Sequence, residues 1–253
     1  MGDFKPSQRV IIWDFEGTLA VRPGRFIAAL VKAARLCDPA FRGTDDQVRP
    51  HLSGAFPWHG KEKRHAFADD ADAWWESLQG PSVRALRQFG MREAVAVEAA
   101  RLARSIYLDN GQWACLDGAL QTLDALSECG WTHVVMSNFA PELDGIVEAL
   151  GLSSRIAMAF SSGRVGFEKP SKAYFDHVLE RISPAQAFFM IGDNPEADIE
   201  GGRSAGLKTI LLGDTDSSAD FRVDRLSAIL KIADFSDSNL SRGDHHALAT
   251  AQG

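Results

Sequence analysis

The sequence predicts a doubly wound parallel α/β sheet interrupted by an α-helical insertion. Two observations carry this. Five short apolar, β-type runs each lead into turn or catalytic-type residues, and helical patterns fill most of the intervals between them. Strands that alternate with helices pair in parallel, with the helices as crossovers. The second observation is where that rhythm stops. Between residues 21 and 115 the patterning is helical and no convincing strand is visible.

The strand runs are Val10–Trp13, Thr132–Met136, Ile156–Phe160, Ala187–Ile191 and Lys208–Leu212. The helical patterns among them are Ala119–Glu128, Pro141–Ala149, Lys172–Arg181 and Ala197–Ser204. Gly130, Gly151 and Gly206 stand where such helices should stop. Inside the insertion the helical patterns are Gly24–Leu36, Asp69–Leu78, Ser82–Phe89 and Arg92–Leu108, with Pro, Gly and His clustered around His51–Gly60. The expected division is therefore a core of residues 1–20 and 116–235, a helical insertion over 21–115, and a tail over 236–253. That tail is small, polar and aperiodic, and disorder is expected for it. Its Arg242-Gly243-Asp244 and His245-His246 read best as a chance tripeptide and solvated histidines.

A chain of 253 residues, 45% hydrophobic, can bury a full core with an inserted subdomain. Its net charge of -7 argues against bulk attraction to nucleic acid. The insertion holds 14 Lys and Arg against 11 Asp and Glu, and the remainder 13 against 23. A mildly basic insertion over an acidic core suits an anionic substrate bridged by a metal cation; ordinary solvated helix faces account for it equally well. Cys37, Cys115 and Cys129 are widely spaced and lack a CxxC pair, so they read as free thiols in a reducing compartment. No signal-peptide core follows Met1, and no apolar stretch approaches the roughly 20 residues that span a bilayer. The expectation is a cytoplasmic protein, monomer or homodimer, with neither nucleic acid nor membrane as partner.

Four segments carry chemistry, each after or beside a strand. Asp14-Phe15-Glu16-Gly17-Thr18 ends the first apolar run with two carboxylates. Val134-Val135-Met136-Ser137-Asn138 ends the next with a hydroxyl. Gly166-Phe167-Glu168-Lys169-Pro170 sets a lysine in a loop ahead of a helix. Met190-Ile191-Gly192-Asp193-Asn194-Pro195-Glu196-Ala197-Asp198 ends a strand in two carboxylates. Ligands of such sheets sit at the carboxyl ends of the strands. Each residue also has a plain structural role open to it: Ser137 as a helix N-cap, Lys169 as a surface lysine, Asp193 in a turn, Asp198 at a helix start.

The set and its order resemble the haloacid dehalogenase-like (HAD) hydrolase superfamily over about residues 9–235, and the insertion resembles that family's helical C1 cap. Ser137-Asn138-Phe139, Glu168-Lys169-Pro170 and Gly192-Asp193-Asn194, with Trp74-Trp75, look most like a phosphatase-like branch. The resemblance implies a Rossmann-like core and a Mg²⁺-dependent phosphatase acting on a small phosphorylated metabolite. It implies Asp14 as the nucleophile that forms an aspartyl-phosphate. It implies Mg²⁺ on Asp14, Asp193 and the backbone carbonyl of Glu16, hard oxygen donors that suit this ion. Ser137 and the Asn138 amide would hold the phosphoryl group, Lys169 would neutralise charge, and Asp198 would support the metal shell or orient Lys169.

Glu16 departs from the family pattern, where Asp is usual as the acid and base of the reaction. One methylene moves a carboxylate by about 1.5 Å, and misplacement of about 1 Å can cost on the order of 10²-fold. A competent metal site with slowed chemistry is the expectation; near-inactivity, with Glu16 pointing elsewhere, is the alternative. Arg22 and Arg25 are placed to reach an anionic substrate tail, and Trp58, His59, Lys61, Trp74 and Trp75 to line a cap pocket. Core packing is the plainer reading of Trp74 and Trp75, and a solvated face that of Lys61, Lys63 and Arg64. Three other functions stay open. A 2-haloacid dehalogenase would share Asp14, but that branch typically carries Tyr at position 16 and lacks the Gly192-Asp193 metal motif. A phosphomutase is possible, although no residue of the insertion identifies itself as its acid/base. A non-catalytic scaffold is motivated by Glu16.

Overall fold

The computed structural model describes residues 4–54, 56, 64–65, 70–215, 218–232 and 235. Its strands are β1 (Arg9–Trp13), β2 (Ala20–Val21), β3 (Ala114–Cys115), β4 (Trp131–Ser137), β5 (Ile156–Ser161), β6 (Gln186–Gly192), β7 (Lys208–Leu212) and β8 (Phe221–Val223). Its α-helices are α1 (Arg25–Cys37), α2 (Asp45–Val48), α3 (Ala71–Arg87), α4 (Glu93–Tyr107), α5 (Ala119–Glu128), α6 (Leu143–Ala149), α7 (Ser162–Val165), α8 (Lys172–Ile182) and α9 (Gly201–Ser204). Six strands form one parallel sheet in the order β5-β4-β1-β6-β7-β8. From β1 the chain winds outward through β4 and β5 on one side, then through β6, β7 and β8 on the other. The crevice at the carboxyl end of β1 is therefore the switch point of the sheet. No described helix is long and apolar enough to cross a membrane.

β1 reads as an unbroken apolar run because it lies between β4 and β6 and is covered on both faces. Ile11 and Trp13 pack with Leu123 and Leu126 of α5 and Ile146 of α6. Val10 and Ile12 pack on the other side with Tyr174, Phe175 and Val178 of α8. The five expected strands all form, each within about two residues of its run. β8 is new, and so is the antiparallel pair β2–β3, which corrects the expectation of no strand within 21–115: Ala20 lies opposite Cys115 and Val21 opposite Ala114. Strands this short show no alternation to read.

The insertion is helical, with one correction. The two helices expected over 69–78 and 82–89 are a single α3, which contains Pro81. Gly80-Pro81 breaks local propensity, but the buried stripe of Trp74, Trp75, Leu78, Ser82, Ala85 and Leu86 runs through it without a break in period. Packing of that stripe outweighs the local cost. Just ahead of the Pro- and His-rich stretch, α2 starts at a capping box in which Thr44 and Gln47 bond each other's backbone amides. A 3₁₀ turn, Arg49–Leu52, continues from it.

Insertion and sheet share one apolar cluster. Phe15, Tyr107, Trp113 and Phe139 form its aromatic seam, with ring centroids 5.5–5.8 Å apart. Trp75 Nε1 donates to Glu142 across the same boundary, at 3.0 Å to Oε1, and Arg104 pairs with that carboxylate at 2.9 Å.

His133 is buried in β4. Trp13 Nε1 donates to its Nδ1 at 3.1 Å, so its hydrogen sits on Nε2, 3.0 Å from the Leu123 carbonyl oxygen. Burial pushes the imidazole down to about 4. The unfolded chain, with His near 6.5, takes up this proton first as pH falls. His133 thus contributes its full stabilisation above about pH 6.5 and loses it toward pH 4, about 2 kcal/mol of it between pH 7 and pH 5. Urea unfolding of the wild type and of His133→Gln at both pH values should show that extra acid sensitivity in the wild type alone. Parallel profiles would contradict it.

Candidate active site

The site is built at the carboxyl ends of β1, β4 and β6, where Asp14 follows β1, Ser137 ends β4 and Asp193 follows β6, with Lys169 joining from the loop ahead of α8. Asp14 is buried and anchored by its own amide, which donates to the Ile191 carbonyl at 2.8 Å. Its Oδ1 accepts from Ser137 Oγ at 3.2 Å and from Lys169 Nζ at 2.7 Å, and its Oδ2 accepts from Thr18 Oγ1 at 3.3 Å. Lys169 is 2% exposed and spans two carboxylates, reaching Asp198 Oδ1 at 2.6 Å. Burial alone would lower the lysine's pKa; Asp14 and Asp198 outweigh it and raise the value, so the ammonium persists.

Asp198 is buried in a π-helical turn, Pro195–Glu200, which Asn194 caps. Burial pushes its carboxyl up to about 7. Both its oxygens nevertheless accept bonds, Oδ1 from Lys169 and Oδ2 from the Asn194 amide at 3.0 Å, and this holds it as the carboxylate beside the charged lysine. Gly192 makes the contact possible, since a Cβ there would lie 2.1 Å from Asp198 Oδ2. Gly17 does the same for Asp193: at φ +107° a Cβ would lie 2.2 Å from Asp193 Oδ2.

Asp14, Asp193 and Asp198 each offer a carboxylate oxygen within 4.8 Å of the others. Asp198 is committed on both oxygens, to Lys169 and to the Asn194 amide, whereas Asp193 Oδ1 accepts no bond among the described residues; Asp193, with Asp14 beside it, is the pair placed to face a cation. Such an all-oxygen donor set fits Mg²⁺. Asp193 Oδ2 accepts from Arg25 Nη2 at 3.0 Å. Burial and then Asp14 raise its carboxyl, while Arg25 opposes the rise.

Glu16 points into the same cavity. Its Oε2 accepts from Tyr107 Oη at 3.0 Å, and its Oε1 is buried with no partner among the described residues. Burial raises the carboxyl to about 7, against the pull of Arg25 and Tyr107. Tyr107, from the last turn of α4, lines this cavity and is a residue that the sequence did not reveal. Nothing local marks it, and it meets Glu16 only through the fold. The side chain of Asn138 is a second omission. It clamps the Lys169 backbone, donating from Nδ2 to the carbonyl at 2.9 Å and accepting the amide on Oδ1 at 2.7 Å.

Arg22 departs from expectation. It is buried, its guanidinium donates to the carbonyls of Pro23, Arg25 and Ile106, and it lies over the Tyr107 ring. It ties α1 to α4 instead of reaching a substrate. Trp74 and Trp75 are core residues. Arg25 does line the cavity, and Arg64 is exposed away from it. Trp58, His59, Lys61, Lys63 and the tail lie outside the described residues. The cavity over Asp14 has a volume of about 520 Å³, and Arg25, Phe26, Arg49, Leu52, Phe56 and Tyr107 of the insertion face it.

A doubly wound sheet with an Asp–Lys–Asp cluster at its switch point has the build of an α/β enzyme. The chain belongs to the haloacid dehalogenase-like hydrolase family, whose model matches residues 8–206. It is 31% identical over 144 residues to the bovine haloacid dehalogenase-like hydrolase domain-containing protein 3 (Bos taurus), a match covering 55% of each chain. The chain thus spans about half the length of that relative. It is 28% identical over 181 residues to a phosphoserine phosphatase of Thermus thermophilus, covering 62% of this chain and 72% of the other. Among solved structures, the putative HAD-hydrolase YfnB of Bacillus subtilis, bound to magnesium, superposes with a TM-score of 0.69 at 24% identity, covering 92% of this chain and all of that one.

Proposed function

We propose that the protein is a Mg²⁺-dependent phosphatase that hydrolyses a small phosphorylated metabolite through an aspartyl-phosphate on Asp14. The observation that carries this reading is the pairing of Asp14 Oδ1 with Ser137 and Lys169 beside Asp193. A phosphate dianion repels an anionic nucleophile, so attack needs positive charge and an aligned oxygen together. A relative named ribulose-1,5-bisphosphate 5-phosphatase, from Halopiger xanaduensis, is 32% identical over 116 residues, covering 45% of this chain and 48% of its own, and supports phosphate-ester chemistry.

Asp14 and Asp193, with the Glu16 carbonyl, would hold Mg²⁺, which supplies charge neutralisation for the phosphoryl oxygens. Lys169, fixed by Asp198 and by the Asn138 clamp, neutralises charge on the nucleophile and the incoming group. Ser137 Oγ donates its one hydrogen to Asp14 Oδ1 in the free site and turns it to the phosphoryl oxygens when substrate binds. Oδ2 of Asp14, held only by Thr18, is the oxygen placed to attack. Glu16, which lines the cavity and whose Oε1 is buried without a partner among the described residues, protonates the leaving oxygen and then takes a proton from the water that opens the acyl phosphate. The insertion acts as the cap that keeps bulk water from the first transfer.

Phosphate release from sugar phosphates, phosphoglycolate, nucleotides and p-nitrophenyl phosphate should appear with Mg²⁺ and vanish with EDTA. Release that survives EDTA would overturn the metal-dependent reading. No release from any of them, with Mg²⁺ binding shown by calorimetry, would favour a scaffold role.

A further inference from the structure

We propose that the cavity takes a phosphate monoester bearing a second anionic group, a carboxylate or a second phosphoryl, and that Arg49 binds that group. The inference rests on the phosphatase reading and names the substrate class of the same site.

The cations of the cavity divide cleanly. Lys169 is held between Asp14 and Asp198. Arg25 is paired with Asp193. Arg49 lines the same cavity, is exposed, and makes no hydrogen bond or ion pair among the described residues. The phosphoryl end has its charge partners without it, so Arg49 is available for something else. It lies on the 3₁₀ turn Arg49–Leu52, which follows directly on α2 and its capping box. Phe26, Leu52 and Phe56 supply apolar wall to the same cavity.

A cavity of about 520 Å³ holds much more than a phosphoryl group. The matching ligand has a phosphate ester at one end, a compact apolar body, and an anion at the other. A guanidinium takes carboxylate or phosphate oxygens in pairs, which makes Arg49 selective for such a group over a hydroxyl. A substrate neutral at its far end would leave this cation against its apolar body and gain nothing from it. The class of reaction that supplies such a substrate is one that phosphorylates a hydroxy acid or a second hydroxyl of a monophosphate.

The test uses three esters of one body: phenyl phosphate, 4-carboxyphenyl phosphate and hydroquinone bisphosphate, each with Mg²⁺. Wild-type kcat/KM should favour at least one of the doubly charged esters by about tenfold or more, mostly through KM. Which of the two is preferred separates carboxylate from phosphate. In Arg49→Gln the preference should fall to within about twofold while phenyl phosphate turnover is unchanged, and Arg49→Lys should restore part of it. Equal wild-type values for all three, or a preference that survives in Arg49→Gln, would overturn this inference and leave the phosphatase reading standing. Wild type that hydrolyses none of the three, with Mg²⁺ bound, would overturn both.

Discussion

Asp14→Asn should abolish metal-dependent phosphate release, by at least about 10³-fold in kcat, while leaving the fold intact or slightly more stable. The loss follows from chemistry, since an amide oxygen does not attack phosphorus to give a hydrolysable acyl phosphate. The stability follows from the neighbours. Asn keeps an acceptor for Ser137 and Lys169, which now bond Asp14 Oδ1. It also removes a charge that raises the Asp193 carboxyl and the Asp198 carboxyl together. Crowded carboxylates serve function at the expense of stability, and relieving one returns part of it. Single-turnover phosphate release and thermal unfolding on the same preparation decide the matter. Residual Mg²⁺-dependent turnover above a hundredth of wild type would remove Asp14 from its assigned role.

Glu16→Gln should lower kcat by about 10²- to 10⁴-fold with little change in KM, because it removes a proton donor and acceptor but not a binding contact. The informative companion is Glu16→Asp. In a site built around Asp, that change would restore ordinary geometry and raise activity. Here Tyr107 takes Oε2 at 3.0 Å and holds the longer side chain in place. Shortening it withdraws the carboxylate from the phenol, so Glu16→Asp should lose about 10- to 100-fold. Tyr107→Phe should lose about tenfold alone and nothing further in the Glu16→Gln background. A gain of activity in Glu16→Asp would show that the extra methylene is a handicap that the fold does not correct.

Three of the four motifs were legible because each ends a strand whose apolar run is plain, the remaining one by its lysine in a loop ahead of a helix, and a parallel sheet gathers strand ends at one edge. Asp14, Ser137 and Asp193 are far apart in sequence and meet for that reason, while Lys169 reaches them from the loop ahead of α8 and Asp198 from the π-helical turn after β6. The insertion hid more. β2 and β3 are two residues each and have no period. Pro81 argued locally for a break that buried Trp74, Trp75 and Leu86 override. Arg22 looked like a ligand because it follows the first motif, yet its guanidinium is used up on backbone carbonyls. Tyr107 and Arg49 become visible only when helices from the insertion are set over the sheet, and that placement depends on tertiary packing that no short window of sequence contains.

The pairing of β2 with β3 gives the insertion a narrow neck. The chain leaves the sheet beside Ala20–Val21 and returns at Ala114–Cys115, so both crossings share one two-residue ladder. An insertion hung on such a neck is exchangeable in principle, since the register of the parallel sheet does not depend on what lies beyond it. Specificity in a lineage of such proteins can therefore drift by replacement of the whole module while the strand-end chemistry stays fixed. Tyr107 limits that freedom here. A replacement module that lacked a phenol at this place would inherit a Glu16 it could not hold, and the residue at position 16 would have to change with it.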